Sequence, residues 1–288
     1  MFKHTAAALL ATAAAFSGTT LPATAAPQDE TAAAPAGFVL GAPQDQAHAH
    51  NDYEHDRPLY DALEHGFTSV EADVWLVDGE LLVAHDREDV EAGVTLENLY
   101  LDPLTELVKG NGRSVYPGWD GQFQLLIDIK SEGEATYAAI EEELAEHRSI
   151  LSRYTHGKTK TGPVAAVISG NRPLETMQSA QQRFGFYDGR ASDLESGTSA
   201  DLMPLVSNNW TQLFTWQGVG PMPEAERARL REYVATAHEQ GFRVRFWATP
   251  DQAGAERDAV WTELYNAGVD HINTDDLAGL EKFLAARG

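Results

Sequence analysis

The stretch that decides the fold is Ser69-Val-Glu-Ala-Asp-Val-Trp-Leu-Val-Asp-Gly-Glu-Leu-Leu-Val-Ala-His-Asp86. Its first half has the β-branched and apolar composition of a buried strand. Glu71 and Asp73 lie two residues apart, so on a strand both carboxylates leave from the same face. Two neighbouring carboxylates repel each other unless a cation or a proton lies between them. Oxygen ligands of this kind suit Mg²⁺, or Ca²⁺, rather than zinc.

Two histidines flank this strand in the sequence. The Asp-Gly pair at 78–79 is a hairpin-type turn, so the chain returns antiparallel and brings His85 towards the end of the strand. His50 lies in Ala47-His-Ala-His-Asn-Asp-Tyr53, where a short first strand is predicted to end. Histidine titrates near neutral pH, so both residues are candidates for moving protons at this site.

Strands and helices alternate along the rest of the chain, which favours a parallel sheet. The clearest strand, Phe-Gln-Leu-Leu-Ile-Asp-Ile-Lys at 123–130, ends with Asp128 and Lys130 on one face. About eight strands can be counted, and their polar residues fall at the C-terminal ends, where a (β/α)₈ barrel has its active site. The predicted fold is therefore an α/β (β/α)₈ TIM barrel. An open doubly wound sheet is the competing architecture, but no Gly-x-Gly-x-x-Gly motif or P-loop supports its nucleotide-binding form.

Composition narrows the classes of partner. The 288 residues carry a formal charge of −23, so nucleic acid is not an expected partner, and a pocket for an anionic substrate must be locally positive. The chain has no cysteine, which excludes disulfides, thiolate nucleophiles and cysteine zinc sites. No later stretch reaches the roughly 18 apolar residues of a transmembrane helix. A monomer is expected.

The N-terminus predicts export. A short basic start precedes an Ala-rich apolar run, and Ala23-Thr-Ala25 provides a small-x-small cleavage site. We therefore predict a signal peptide at 1–25, cleaved near Ala25, a flexible leader at 26–45 and a single barrel domain at 46–288. The expected location is extracellular.

The combined motifs resemble the glycerophosphodiester phosphodiesterase and phosphatidylinositol-phospholipase-C-like barrels. The fuller match is to the branch named for altered inheritance of mitochondria protein 6. It rests on Ala-His-Asn-Asp-Tyr (49–53), Leu-Leu-Ile-Asp-Ile-Lys (125–130), Ile-Ser-Gly-Asn-Arg-Pro (168–173), Arg-Phe-Trp-Ala-Thr-Pro (245–250) and Ile-Asn-Thr-Asp-Asp-Leu (272–277). The resemblance runs from about His48 to Leu277 and implies a phospholipase-C-like TIM barrel that hydrolyses phosphoric diesters.

The resemblance also implies roles for individual residues. His50 and His85 would form the general acid/base pair, and Lys130 would contact the phosphate. One divalent ion, usually Mg²⁺, would be bound by Glu71, Asp73 and Asp128.

Some positions resemble the sphingomyelinase D relatives instead. The spacing of Trp247 and Asn273 is similar to theirs, which implies that both side chains contact the substrate, and an aspartate at position 128 is similar as well. Asn51 is also a predicted substrate contact. Asn51 stands where glycerophosphodiesterases have an arginine after the first histidine, so a phosphate-binding arginine is missing from that position.

The expected substrate is a phospholipid headgroup or a glycerophosphodiester, and a hydroxyl beside the phosphate would give a cyclic phosphate first. Two alternatives stay open. His48-Ala-His50 is the first half of a binuclear amidohydrolase site, and a barrel that binds phosphodiesters without cleaving them would have a similar sequence.

Overall fold

A closed barrel of eight parallel strands forms the centre of residues 34–287, the part of the chain that this computed structural model describes. The strands, in chain order, are Gln44–Ala49 (β1), Phe67–Val77 (β2), Glu80–Val83 (β3), Phe123–Ile129 (β4), Arg153–Thr155 (β5), Lys158–Lys160 (β6), Val164–Gly170 (β7), Gln182–Arg183 (β8), Gly185–Gly189 (β9), Leu205–Asn209 (β10), Arg243–Trp247 (β11) and His271–Thr274 (β12). Around the ring the order is β1, β12, β11, β10, β9, β7, β4, β2, and pairing of β2 with β1 closes it. The predicted TIM barrel is confirmed.

The remaining strands lie outside the ring. β3 pairs antiparallel with β2 through the hairpin at 78–79, as the Asp-Gly turn predicts. β6, β5 and β8 form a separate small sheet.

Helices follow most of the barrel strands. They are Tyr60–Glu64 (α1), Asp102–Gly110 (α2), Gly133–Glu146 (α3), Leu174–Ser179 (α4), Trp210–Leu213 (α5), Glu224–Glu239 (α6), Ala255–Ala267 (α7) and Leu277–Ala285 (α8). A π-helical turn, Glu97–Leu101, runs directly into α2. Between β9 and β10 the chain forms a 3₁₀ turn, Ala191–Asp193, in place of an α-helix.

Alternation along β2 separates the core from the site. Val70, Ala72 and Val74 are fully buried in the main hydrophobic cluster shared with the helices, whereas Glu71 and Asp73 point into the barrel. The barrel interior has its own apolar layer of Leu126, Val167, Phe186 and Leu205. Glu71 is in register with Leu126, and two residues further on Asp73 is in register with Asp128. Strands β4, β7, β9 and β10 therefore contribute the apolar interior layer, and the Asp73–Asp128 pair lies two residues nearer the C-terminal mouth.

Two local predictions differ from the structure. The sequence predicts a helix over 58–65, with proline in its first turn and Gly66 at its end. The structure shortens it to α1, because Leu59 has a positive φ of 64° and its N–H donates to the buried carboxylate of Asp52 at 2.6 Å. The pattern of leucines at 96, 99, 104 and 107 predicts a helix interrupted at the Asp-Pro pair of 102–103. The structure shows no break there, because the π-helical turn continues into α2, whose first turn accommodates the proline.

The predicted signal peptide, 1–25, lies outside the described residues. Within the predicted leader, Phe38 and Leu40 pack against the core, and β1 begins at Gln44, two residues before the first strand that the sequence predicts over 46–50. Among residues 34–287, no helix combines the length and the apolar character that crossing a membrane requires.

Candidate active site

Three carboxylates converge at the C-terminal mouth of the barrel. Glu71 and Asp73 come from β2 and Asp128 from the adjacent strand β4. One oxygen from each lies within 4.8 Å of the others. We refer to Glu71, Asp73 and Asp128 as the carboxylate triad. Its geometry follows from the two-residue spacing on β2 and from the Asp73–Asp128 register.

The two predicted catalytic histidines flank the carboxylate triad with matching hydrogen bonds. His50 follows β1, and its Nδ1 lies 2.8 Å from Asp275 Oδ1. His85 follows β3, and its Nδ1 lies 3.0 Å from Asp73 Oδ2. A carboxylate only accepts, so in both rings Nδ1 carries the hydrogen and Nε2 remains available for proton transfer.

Three basic side chains also reach this mouth. Lys130 Nζ lies 3.0 Å from Asp73 Oδ2 and 3.3 Å from Asp128 Oδ1. The guanidinium of Arg245, on β11, donates to Glu71 Oε2. Arg190, after β9, is held by Asp188 at 2.6 Å. The predicted phosphate contact, Lys130, is thus accompanied by two arginines.

The electrostatics of the carboxylate triad reflect this crowding. Burial alone would raise the pKa of Glu71, but the charge of Arg245 outweighs burial and holds that pKa well below its usual range. Burial and the charge on Glu71 raise the pKa of Asp73, and the same two causes raise the pKa of Asp128 to about 6. Lys130 and Arg245 together bring two positive charges to three carboxylates. The site is therefore short of positive charge.

The pKa of His50 is also shifted. Burial lowers it, but the hydrogen bond to Asp275 and the charge on Glu71 outweigh burial, so the pKa of His50 is raised. A raised pKa keeps the imidazolium form populated to higher pH. His50 is thereby suited to donate a proton.

A cavity of about 190 Å³ opens between these groups. It is lined by His50, Asn51, Glu71, His85, Asp128, Lys130, Ser169, Arg190, Ser207, Arg245 and Trp247. Asp73 lies behind this lining and is fully buried, with Tyr53, Lys130 and His85 all bonded to its Oδ2. The structure thus brings together eight of the nine predicted site residues.

Asn273 is the exception. Its side chain is only 6% exposed and its Oδ1 accepts a hydrogen bond from Arg245 Nε at 2.8 Å. Asn273 therefore positions Arg245 and does not face the cavity, which corrects its predicted place among the substrate contacts.

Sequence reasoning missed both arginines of the cavity. No arginine follows His50, but Arg190 and Arg245 reach the same space from β9 and β11. A signal was present for Arg245, which lies two residues before Trp247 and so shares its strand face. The sequence indicates Arg190 less clearly: it is the residue immediately after a short strand, where side chains reach the barrel mouth.

The amidohydrolase alternative requires His48 to face the mouth beside His50. His48 is fully buried, with Nδ1 2.7 Å from Ser69 Oγ and Nε2 3.4 Å from Glu71. Within residues 34–287, the potential metal cluster that contains a histidine is built from Glu97, Asp102 and His147, on the helices.

Residues 41–188 match the family model of an AIM6-like phosphodiesterase domain. The chain belongs to the AIM6-like phosphodiesterase family. Residues 243–278 match the glycerophosphoryl diester phosphodiesterase family as well. The AIM6-like match, residues 41–188, contains the carboxylate triad, both histidines and Lys130. The glycerophosphoryl diester phosphodiesterase match, residues 243–278, contains Arg245 and Trp247.

Relatives in this family span most of the chain. The altered inheritance of mitochondria protein 6 homolog of Arthroderma benhamiae is 31% identical over 254 residues, which cover 80% of this chain and 81% of the relative. Altered inheritance of mitochondria protein 6 of Eremothecium gossypii is 31% identical over 268 residues, which cover 83% of this chain and 69% of the relative.

Solved structures share the fold. A glycerophosphodiester phosphodiesterase from Parabacteroides distasonis superposes with a TM-score of 0.50 at 14% identity, over 86% of this chain and 99% of that one. A second glycerophosphoryl diester phosphodiesterase from the same organism superposes with a TM-score of 0.50 at 13% identity, over 86% of this chain and 89% of that one. The AIM6-like family and this fold support a phosphodiesterase-type function.

Proposed function

We propose that the protein is a secreted, metal-dependent phosphoric diester hydrolase in which His50 and His85 transfer the protons. The observation that carries the proposal is the pairing of each histidine with a carboxylate through Nδ1, on a cavity that also holds three basic side chains. A phosphodiester is an anion whose hydrolysis requires charge neutralisation and two proton transfers.

The basic side chains would bind the substrate. The protein carries a formal charge of −23, yet Lys130, Arg190 and Arg245 all line the cavity. Together with a divalent cation on the carboxylate triad, their charges would favour an anionic group there over a neutral one. Guanidinium groups also match the geometry of phosphate oxygens.

Proton transfer divides between the histidines. The raised pKa of His50 suits it to protonate the leaving oxygen. His85 is half exposed, and its Nε2 would accept a proton from water or from a substrate hydroxyl. If that hydroxyl belongs to the carbon next to the phosphate ester, the first product is a cyclic phosphate.

The residues present fit a divalent cation. Asp73 Oδ1 is buried without a hydrogen-bond partner, and the carboxylate triad is short of positive charge. Oxygen ligands favour Mg²⁺, with Ca²⁺ as the second choice. The carboxylate triad would hold the ion, which would neutralise charge developing on the phosphate oxygens.

The substrate class follows from cavity size. A volume of about 190 Å³ is smaller than the roughly 300–1,000 Å³ of sites for drug-sized ligands. It suits a phosphodiester with its adjoining carbons, such as a phospholipid headgroup or a glycerophosphodiester. Trp247 and Asn51, at the rim, would contact the alcohol portions.

The test is a substrate panel with added Mg²⁺: sphingomyelin, lysophospholipids, glycerophosphodiesters and a chromogenic phosphodiester, with ³¹P NMR to identify cyclic products. His50→Ala and His85→Ala should each abolish turnover while the circular dichroism spectrum is unchanged. His156→Ala, at an exposed histidine of the small sheet, is the control and should keep full activity.

Full activity in either active-site variant would remove the acid/base assignment. Binding of these diesters without turnover in the wild type would favour the non-catalytic barrel instead.

Export is tested separately. Protein recovered from the medium of a secreting host should begin near Ala26, as determined by N-terminal sequencing. Retention inside the cell with Met1 intact would contradict the signal peptide.

A further inference from the structure

A second group of potential metal ligands lies away from the barrel mouth, between α2 and α3. Glu97 begins the π-helical turn before α2, and Asp102 is the first residue of α2. His147 caps the C-terminus of α3. One ligand atom from each lies within 4.8 Å of the others. We refer to Glu97, Asp102 and His147 as the α2–α3 cluster.

The second observation is the state of His147. Its side chain is 8% exposed, and its Nε2 is buried without a hydrogen-bond partner although it points at two carboxylates. Nε2 lies 3.6 Å from Glu97 Oε1 and 4.0 Å from Asp102 Oδ1, both too long for hydrogen bonds. Donor atoms that share one zinc ion lie about 3.4 Å apart at tetrahedral angles, and at most about 4.2 Å. The observed separations are longer than the tetrahedral value, so the two half-exposed carboxylates would move towards His147 Nε2 when an ion binds.

The other ring nitrogen is held as a metal-binding histidine requires. Nδ1 of His147 lies 3.1 Å from Thr105 Oγ1. When Nδ1–H donates to this hydroxyl, Nε2 presents its lone pair to the two carboxylates. Metal-bound histidines commonly have their second nitrogen fixed in this way, which sets the tautomer and the ring orientation.

Glu143 adds a further carboxylate. It lies four residues before His147, so both side chains share one face of α3. Its Oε1 is buried without a hydrogen-bond partner.

We propose that the α2–α3 cluster binds a zinc ion through His147 Nε2 and the carboxylates of Glu97 and Asp102. An imidazole among the ligands favours zinc over Mg²⁺, whereas the oxygen-only carboxylate triad favours Mg²⁺. The ion joins the start of α2 to the end of α3, and its role is structural.

The test measures zinc binding and not activity. The full chain carrying Asp73→Asn and Asp128→Asn, which weaken binding at the barrel mouth, is stripped of metal and titrated with ZnCl₂ in millimolar Mg²⁺ by calorimetry. One zinc ion should bind and raise the melting temperature. X-ray absorption should show one nitrogen and several oxygen neighbours near 2.0–2.2 Å.

Variants of the α2–α3 cluster then locate the site. His147→Gln in the same background should abolish binding, and Thr105→Val should weaken it about 10–100-fold by releasing the ring. His156→Gln makes the same change at an exposed histidine and should leave the affinity unaltered. Because His147 is buried, the half-exposed Glu97→Gln and Asp102→Asn provide variants that are expected to keep the fold, and each should lower the affinity at least tenfold.

Equal zinc affinity in the wild-type and variant clusters would overturn the proposal. So would no zinc binding in the folded background, or a bound ion without a nitrogen neighbour. None of these results bears on the phosphodiesterase proposal, which depends on the barrel mouth.

Discussion

Arg245 and Glu71 form a buried ion pair across the barrel interior. The two side chains are 4% and 6% exposed and come from β11 and β2, which are not neighbours in the sheet. Asn273 fixes the guanidinium from the other side at 2.8 Å. A carboxylate predicted as a metal ligand is therefore already paired with a cation. Removing one member of such a pair leaves an uncompensated buried charge.

Arg245→Met is expected to lower the free energy of unfolding by about 3–5 kcal/mol, because Glu71 loses its partner in a buried position. Urea denaturation at pH 7.5 measures this loss. The double variant Glu71→Gln/Arg245→Met should lose less than the sum of the single variants, since the pair is broken only once. Lys109→Met, in an exposed pair with Glu106, is the control and should cost no more than about 1 kcal/mol. A loss at Arg245 as small as that of the control would contradict a buried ion pair.

Asp275→Asn is expected to move the alkaline limb of the kcat/KM profile to lower pH. The carboxylate of Asp275 helps to raise the pKa of His50, and a general acid loses activity as pH rises through its pKa. The amide removes the negative charge, so the pKa of His50 falls. Asp270→Asn makes the same change at the His238–Asp270 pair, also at 2.8 Å but outside the cavity, and should leave the profile in place. An unchanged alkaline limb in Asp275→Asn would exclude His50 as the acid.

The same pair has a consequence for stability. Because the pKa of His50 is raised in the folded protein, its contribution to stability is fully present below the unfolded pKa of about 6.5. That contribution is lost as pH rises through the folded pKa. The stability difference between wild type and Asp275→Asn should therefore be larger at pH 5.5 than at pH 9, as measured by urea denaturation.

The parts of the site that were predictable are those set by local periodicity. Glu71 and Asp73 share a face because side chains alternate along a strand, and the Asp-Gly turn at 78–79 places His85 beside them. Polar residues at strand ends indicated the barrel mouth, which is a property of the fold. Each of these inferences uses residues close together in the chain.

The parts that were not predictable depend on contacts between distant residues. Arg245 meets Glu71 across 174 positions of sequence, and no local pattern specifies that pairing. The short α1 has a similar cause, since the N–H of Leu59 is bonded to the Asp52 carboxylate and Leu59 adopts a positive φ. In both cases a tertiary contact overrides what the surrounding sequence favours.

Arg190→Lys is expected to weaken inhibition by inorganic phosphate about tenfold or more. The guanidinium is oriented by Asp188 at 2.6 Å and by two serine hydroxyls at 3.2 Å, and lysine keeps the charge without this fixed geometry. Inhibition constants measured with the chromogenic diester give the comparison. Arg172→Lys, after the neighbouring strand β7, does not line the cavity and is the control. Equal phosphate inhibition in wild type and Arg190→Lys would show that Arg190 does not contact the substrate anion.

Chelation by EDTA is expected to abolish turnover, and Mg²⁺ to restore it, because the carboxylate triad is short of positive charge and contains the partnerless Asp73 Oδ1. Saturating Mg²⁺ at 100 times its Kd should stabilise the fold by about 2.7 kcal/mol, a rise of several degrees in Tm. Asp73→Asn/Asp128→Asn should remove this rise. Asp78→Asn, at the exposed hairpin turn, makes the same change outside the site and should keep it. Activity that is indifferent to EDTA, or an equal rise in Tm in the triad variant, would exclude a metal at this mouth and leave Lys130 and the arginines to neutralise the phosphate.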